Sequence, residues 1–74
     1  MATKDQIRAG LGLLNITGKD LASAIGVSAN TVNRFLRERD ASTSYANIQK
    51  MEKILEERGV EFLEADGVRR KDDR

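Results

Sequence analysis

The sequence contains no histidine, no cysteine and no proline. Without cysteine, neither disulfides nor thiolate chemistry are available. With histidine also missing, a zinc, copper or haem site is not expected, because those ions rely chiefly on imidazole and thiolate ligands. No metal or other cofactor is therefore expected. No low-complexity segment or internal repeat divides the chain, and no run approaches the roughly 18 consecutive apolar residues of a membrane helix. The N-terminal MATKDQIRAG lacks the apolar core of a signal peptide. A cytoplasmic protein without metal or membrane span is the expectation.

What is present is one small domain's worth of residues, 74, of which 39% are hydrophobic and 34% charged. A core of that size is too small to enclose a large substrate pocket. The net charge is +1, but it is unevenly spread. Residues 1–39 hold six basic and three acidic side chains, and residues 40–74 hold seven basic and nine acidic ones. The first half is thus the one placed to meet an anion.

Four helices are predicted from periodicity and caps. TKDQ at residues 3–6 forms a capping box, and Ile7, Leu11 and Leu14 recur as one apolar stripe, with Asn15 as the stop. Gly10 and Gly12 weaken this helix but offer a place for a neighbouring helix to come close. The second helix opens with Thr17 as N-cap and Asp20 at the third position, stapled by Ile16 and Leu21, and ends at Gly26. The third opens with Ser28 as N-cap, stapled by Val27 and Val32. Its Val32, Phe35 and Leu36 face inward, while Asn30, Asn33, Arg34 and Arg37 face out. The fourth runs from Ser44 to about Arg58, with Ile48, Met51, Ile54 and Leu55 inward, Tyr45 expected to cover the core, and Gly59 following as the left-handed residue. Val60 to Val68, with the Asp66-Gly67 turn signal, reads as a β-hairpin. The closing RRKDDR is expected to fray, with residues 72–74 as the loose tail.

Two short helices separated by Gly26 and Val27 form a helix-turn-helix, because the reversal demands a residue that tolerates positive φ. Leu21, Ala22, Ile25, Gly26, Val27, Val32 and Phe35 all stand at the offsets this geometry needs. KDLASAIGVSANTVNRFLRER resembles the helix-turn-helix of the phage-repressor and Cro-like transcription regulators, the XRE family, and the likeness covers residues 3–58. LEERGVEFLEADGVR is similar to small bacterial members that finish in a hairpin. The resemblance implies a mainly α fold, a four-helix repressor-like domain with a short C-terminal β-hairpin. It also implies sequence-specific binding of double-stranded DNA, usually as a homodimer, to repress or activate nearby promoters, and a repressor is the expectation here. A bacterial or phage-encoded, nucleoid-associated protein would follow. Family members commonly carry a glutamine early in helix two and a proline before helix four. Here those places hold Lys19 or its neighbours and the DASTS loop, and Lys19 takes over the phosphate contact.

On this reading residues 1–59 form the DNA-binding domain and residues 60–71 a hairpin that can serve dimerisation. The helix over residues 28–38 enters the major groove. Ser28, Ala29, Asn30, Asn33, Arg34 and Arg37 are the candidate base readers, since arginine grips guanine and asparagine adenine through paired hydrogen bonds, and Ala29 can touch a thymine methyl. Thr17, Lys19, Arg39, Ser42, Thr43 and Ser44 lie near helix starts that attract phosphate, and capping is the alternative role of the hydroxyls. Val60, Phe62, Leu63 and Val68 are the candidate dimer surface, with Phe62 equally suited to closing the monomer core. A rival use of the same fold is a protein-interaction module, an antitoxin or adaptor gripping a partner protein. It would call for apolar anchors on the third helix, where Asn and Arg stand instead, whereas the hairpin is apolar enough to suit a protein partner, so both roles can coexist. An enzyme is not expected. The sequence offers no nucleophile constellation or phosphate-cradling loop, and EADG has too few ligands for calcium.

Overall fold

The computed structural model describes residues 2–72. Four helices lead into a two-stranded antiparallel sheet: α1 (Lys4–Leu14), α2 (Gly18–Ile25), α3 (Ala29–Arg37), α4 (Tyr45–Glu57), β1 (Val60–Phe62) and β2 (Val68–Arg70). Each helix begins where a short hydroxyl side chain can satisfy a free first-turn amide. Thr3, Thr17, Ser28 and Ser44 accept from the backbone N–H three residues on. At Thr3 and Thr17 the return bond, from Gln6 and Asp20, completes a capping box.

The stops are as local as the starts. Asn15 takes φ 55°, and the Ile16 N–H bonds back to Leu11 O at 3.1 Å. Gly26 takes φ 80°, and the Val27 N–H bonds back to Ala22 O at 3.1 Å. These six-to-one bonds close both helices as Schellman motifs. The second of them is the elbow between α2 and α3. A β-carbon at Gly26 would meet nothing within 4 Å, so only the left-handed backbone demands glycine there. Gly26→Ala is expected to lower stability by about 1–2 kcal/mol through that conformation alone. Gly12 is equally open but helical, so Gly12→Ala is expected to raise stability by about 1 kcal/mol. Urea denaturation of the two variants beside the parent checks the pair, and shifts of the same sign would refute the assignment.

Ile7, Leu21, Val32, Met51, Leu55 and Val60 are fully buried, joined by Ala2, Leu11, Ala22, Ile25, Phe35 and Leu36. All four helices and the hairpin therefore share one core. Gly10 is the point of close approach, because a β-carbon there would lie 3.2 Å from Leu55 Cδ1 and 3.5 Å from Val60 Cγ1. Gly12 plays no such part.

Other expectations are corrected. Tyr45 does not cover the core and stands 60% exposed at the start of α4, because the first helical residue projects away from the buried stripe. Ile48 and Ile54 are half-buried against the core edge rather than inside it. The strands pair Val60 with Arg70, Glu61 with Arg69 and Phe62 with Val68, so the connection is the five residues 63–67. Its left-handed residue is Ala65, at φ 57°, not Asp66 or Gly67. Arg69, Arg70 and Lys71 are not frayed. The Lys71 N–H donates to Gly59 O at 2.8 Å, and its ammonium donates to Glu56 O at 2.8 Å. Asp72 lies in a turn, and the last two residues of the expected tail fall outside the described residues.

The hairpin is held by the start of α1. Gln6, 3% exposed, accepts from the Thr3 N–H at 2.9 Å through Oε1. Its Nε2 donates to Leu63 O at 2.6 Å and Gly67 O at 2.9 Å. The Thr3 hydroxyl also donates to Asp66 Oδ1 at 2.9 Å. Glu61 and Arg69 pair across the strands at 2.7 Å, and that hydrogen bond holds the Glu61 carboxyl below its ordinary pKa.

Candidate nucleic-acid interface

α3 presents its apolar face to the core through Val32, Phe35 and Leu36. Asn30, Thr31, Asn33, Arg34 and Arg37 are exposed on the remaining surface. A helix of this kind, held outward by its own buried stripe, has the shape that enters the major groove of B-DNA.

Two elements flank it. On one side lies the start of α2. A β-carbon at Gly18 would collide with Asn33 Oδ1, so the absence of a side chain there makes a seat for Asn33. The oxygen of that side chain points at the positive end of the α2 dipole, an arrangement electrostatics favours. On the other side lies the segment entering α4. Asn30, Thr31, Arg34, Phe35, Ala41 and Ser42 line one cleft. The polar face of α3, the α2 start and residues 41–42 are thus neighbours.

The candidate base readers divide. Asn30 is exposed, and Arg34 is exposed with its Nε donating to Glu38 Oε2 at 3.1 Å. Ser28 is occupied as a cap: its Oγ accepts from the Thr31 N–H at 3.1 Å and lies 2.8 Å from Thr31 Oγ1. Ala29 is half-buried against the core, which leaves only part of its methyl to a ligand. Arg37 sits apart from Arg34, in a second cleft lined by Thr3, Lys4, Asp5, Arg8 and Arg39.

The candidate phosphate groups also divide. Lys19 and Arg39 are exposed and make no ion pair among the described residues. Thr17 and Asp20 exchange two capping bonds, at 2.9 and 3.1 Å. The first of these, from the Thr17 N–H to the Asp20 carboxylate, holds that carboxyl below its ordinary pKa, with the nearby Thr17 hydroxyl as the second cause. Ser44 caps α4 by accepting from the Asn47 N–H at 3.1 Å, and Thr43 accepts from Asn47 Nδ2 at 3.0 Å. Ser42 is exposed beside Arg34.

Of the candidate dimer residues, Val60 is fully buried inside the protomer and has no surface to offer a second copy. Phe62 and Val68 are half-buried against the same core. Leu63, 40% exposed, is the most accessible of the four.

Sequence reasoning missed the groups that hold α3 in place. The Lys4 ammonium lies 4.8 Å from the Phe35 ring centroid. It donates to Glu38 O at 2.7 Å, Arg39 O at 3.1 Å and Ala41 O at 2.8 Å. Arg8 donates to Leu36 O and pairs with Asp5. Two cations from α1 thus gather the carbonyls at the negative end of α3, where positive charge is favoured. Nothing local in the sequence announces contacts across 28 to 37 positions. Thr31 and Glu38, three residues before and four after Arg34, were legible from helical spacing.

A protein-family model described as helix-turn-helix matches residues 7–62. No curated protein matches the chain. The family match spans α1 through β1 and includes the α2–α3 elbow. The chain belongs to the XRE-type helix-turn-helix family of DNA-binding regulators.

Proposed function

We propose that this protein represses transcription by binding operator DNA as a homodimer, with α3 of each protomer in the major groove of one half-site. The observation that carries the reading is the flanking of α3. Its polar face meets the start of α2 through Asn33 and residues 41–42 through Asn30, Thr31 and Arg34, where the two phosphate backbones beside a groove-bound helix would run. Asn30, Asn33 and Arg34 read base edges. Lys19, Arg37, Arg39 and Ser42 contact phosphate, with the amides at the two helix starts. Arg37 moves to this second group because it shares its cleft with Arg8 and Arg39 rather than with Asn30. Leu63, with the exposed parts of Phe62 and Val68, joins the two copies. The protein acts where its operator lies, in the cytoplasm. The reading face carries amide, hydroxyl and guanidinium groups in place of apolar anchors, which favours nucleic acid over a protein partner at this surface.

Selection of bound sequences from random duplex DNA tests the reading. The expected outcome is an inverted repeat with half-sites about one helical turn apart. Arg34→Ala is expected to lose discrimination at one base pair of each half-site by about 1–3 kcal/mol. Enrichment of no sequence would refute the proposal. A single half-site without symmetry would refute the dimer.

A further inference from the structure

We propose that Glu38 is a specificity-determining residue that positions Arg34 for a base edge and turns duplexes without the matching base away; this rests on the DNA-binding reading above. Glu38 ends α3 with its backbone fixed on both sides. Its N–H donates to Arg34 O at 2.9 Å, and its carbonyl accepts from the Lys4 ammonium at 2.7 Å. From that anchored position the carboxylate takes the Arg34 Nε at 3.1 Å. This bond uses the inner edge of the guanidinium. The Nη1–Nη2 end of the guanidinium is not used by this bond, and it is an edge that matches O6 and N7 of guanine.

The same carboxylate works against indiscriminate binding. Glu38 and Asp40 line one cleft with Arg34 and Arg39. An arginine free to swing would seize any passing phosphate, since phosphate contacts carry no sequence information. Arg34 tethered to Glu38 cannot do so without leaving the carboxylate alone beside a phosphate. Only a matching base recovers the loss.

The experiment measures dissociation constants of parent, Glu38→Gln and Glu57→Gln on the selected operator and on a scrambled duplex of equal length, across a salt series. Glu57 ends α4 and serves as the charge control. Thermal melting verifies folding, and Glu38→Ala repeats the measurement without any side-chain acceptor. Glu38→Gln is expected to tighten binding to the scrambled duplex about fivefold, the scale of one exposed ion pair, and to change operator binding less than twofold. Its salt slope on the scrambled duplex steepens by about one per protomer as Arg34 turns to phosphate. An unchanged ratio in Glu38→Gln, or an equal fall in Glu57→Gln, would overturn the role of Glu38 while a discriminating parent upholds the regulator. A parent that does not distinguish the two duplexes would overturn both.

Discussion

Raising monovalent salt from about 50 to 200 mM is expected to weaken the proposed dimer's grip on the proposed operator by about 10²- to 10³-fold. The magnitude follows from which cations are still available. Lys4 has spent its three N–H groups on Glu38, Arg39 and Ala41 carbonyls. Arg8 is engaged by Asp5 and Leu36 O, and Arg34 by Glu38. Lys19, Arg37 and Arg39 are the cations left for the proposed phosphate contacts. Two or three phosphates neutralised per protomer give roughly four to six per dimer, and each contributes about −0.9 to the slope of log affinity against log salt. The Ser42 hydroxyl, in the proposed contact, would fix register without releasing a counterion, so its loss should weaken binding at an unchanged slope. Lys19→Gln should remove about one unit of slope per protomer. Fluorescence anisotropy over a salt series measures all of this. A slope near zero would contradict phosphate contact, and a slope half as steep would point to a monomer.

Gln6→Glu is expected to remove about 3–5 kcal/mol of folding stability at pH 7, most of what a domain of this size possesses. The neutral amide serves both ends of the chain. Its oxygen accepts from the Thr3 N–H, and its NH₂ donates to the Leu63 and Gly67 carbonyls. A carboxylate keeps the first bond and turns lone pairs on two carbonyl oxygens in a nearly buried site. The folded state will therefore favour the protonated acid, raising the pKa of the introduced carboxyl above its unfolded value. A raised carboxyl pKa makes stability fall as pH climbs from the unfolded pKa, about 4.3, to the folded one. The variant should accordingly be more stable at pH 4.5 than at pH 7. In the parent the shifted carboxyls, Asp20 and Glu61, are depressed. Their contribution is fully present above their unfolded values and is lost as pH falls through the lower folded ones. Urea titrations at the two pH values measure the contrast. Parent-like stability of Gln6→Glu at pH 7 would show that the amide does not tie the hairpin to α1.

The parts of the molecule legible in sequence are those written in short-range chemistry. Thr3, Thr17, Ser28 and Ser44 announce helix starts, since a cap and its amide are three residues apart. Asn15 and Gly26 announce stops because few residues accept positive φ. Pattern alone likewise assigned Val32, Phe35 and Leu36 to the interior and Arg34 to the surface. What pattern could not supply were contacts between distant positions: the seat of Asn33 on Gly18, the clamp of Lys4, and the double donation of Gln6. Each involves a residue whose local role was already complete or unremarkable. Gln6 was fully explained as half of a capping box, and that hid its second task. The hairpin turn misled for a related reason. Asp66-Gly67 has strong intrinsic turn chemistry, but Asp66 and the Gly67 carbonyl are bonded to Thr3 and Gln6, and the left-handed residue is Ala65.

The Lys4 clamp has an evolutionary corollary. It grips main-chain oxygens, which every amino acid brings to the loop, and asks nothing of the side chains at positions 38, 39 and 41. Those side chains are free to mutate while the rod they follow stays anchored. A lineage can thus vary the chemistry beside α3, one substitution at a time, on a scaffold whose aim does not drift.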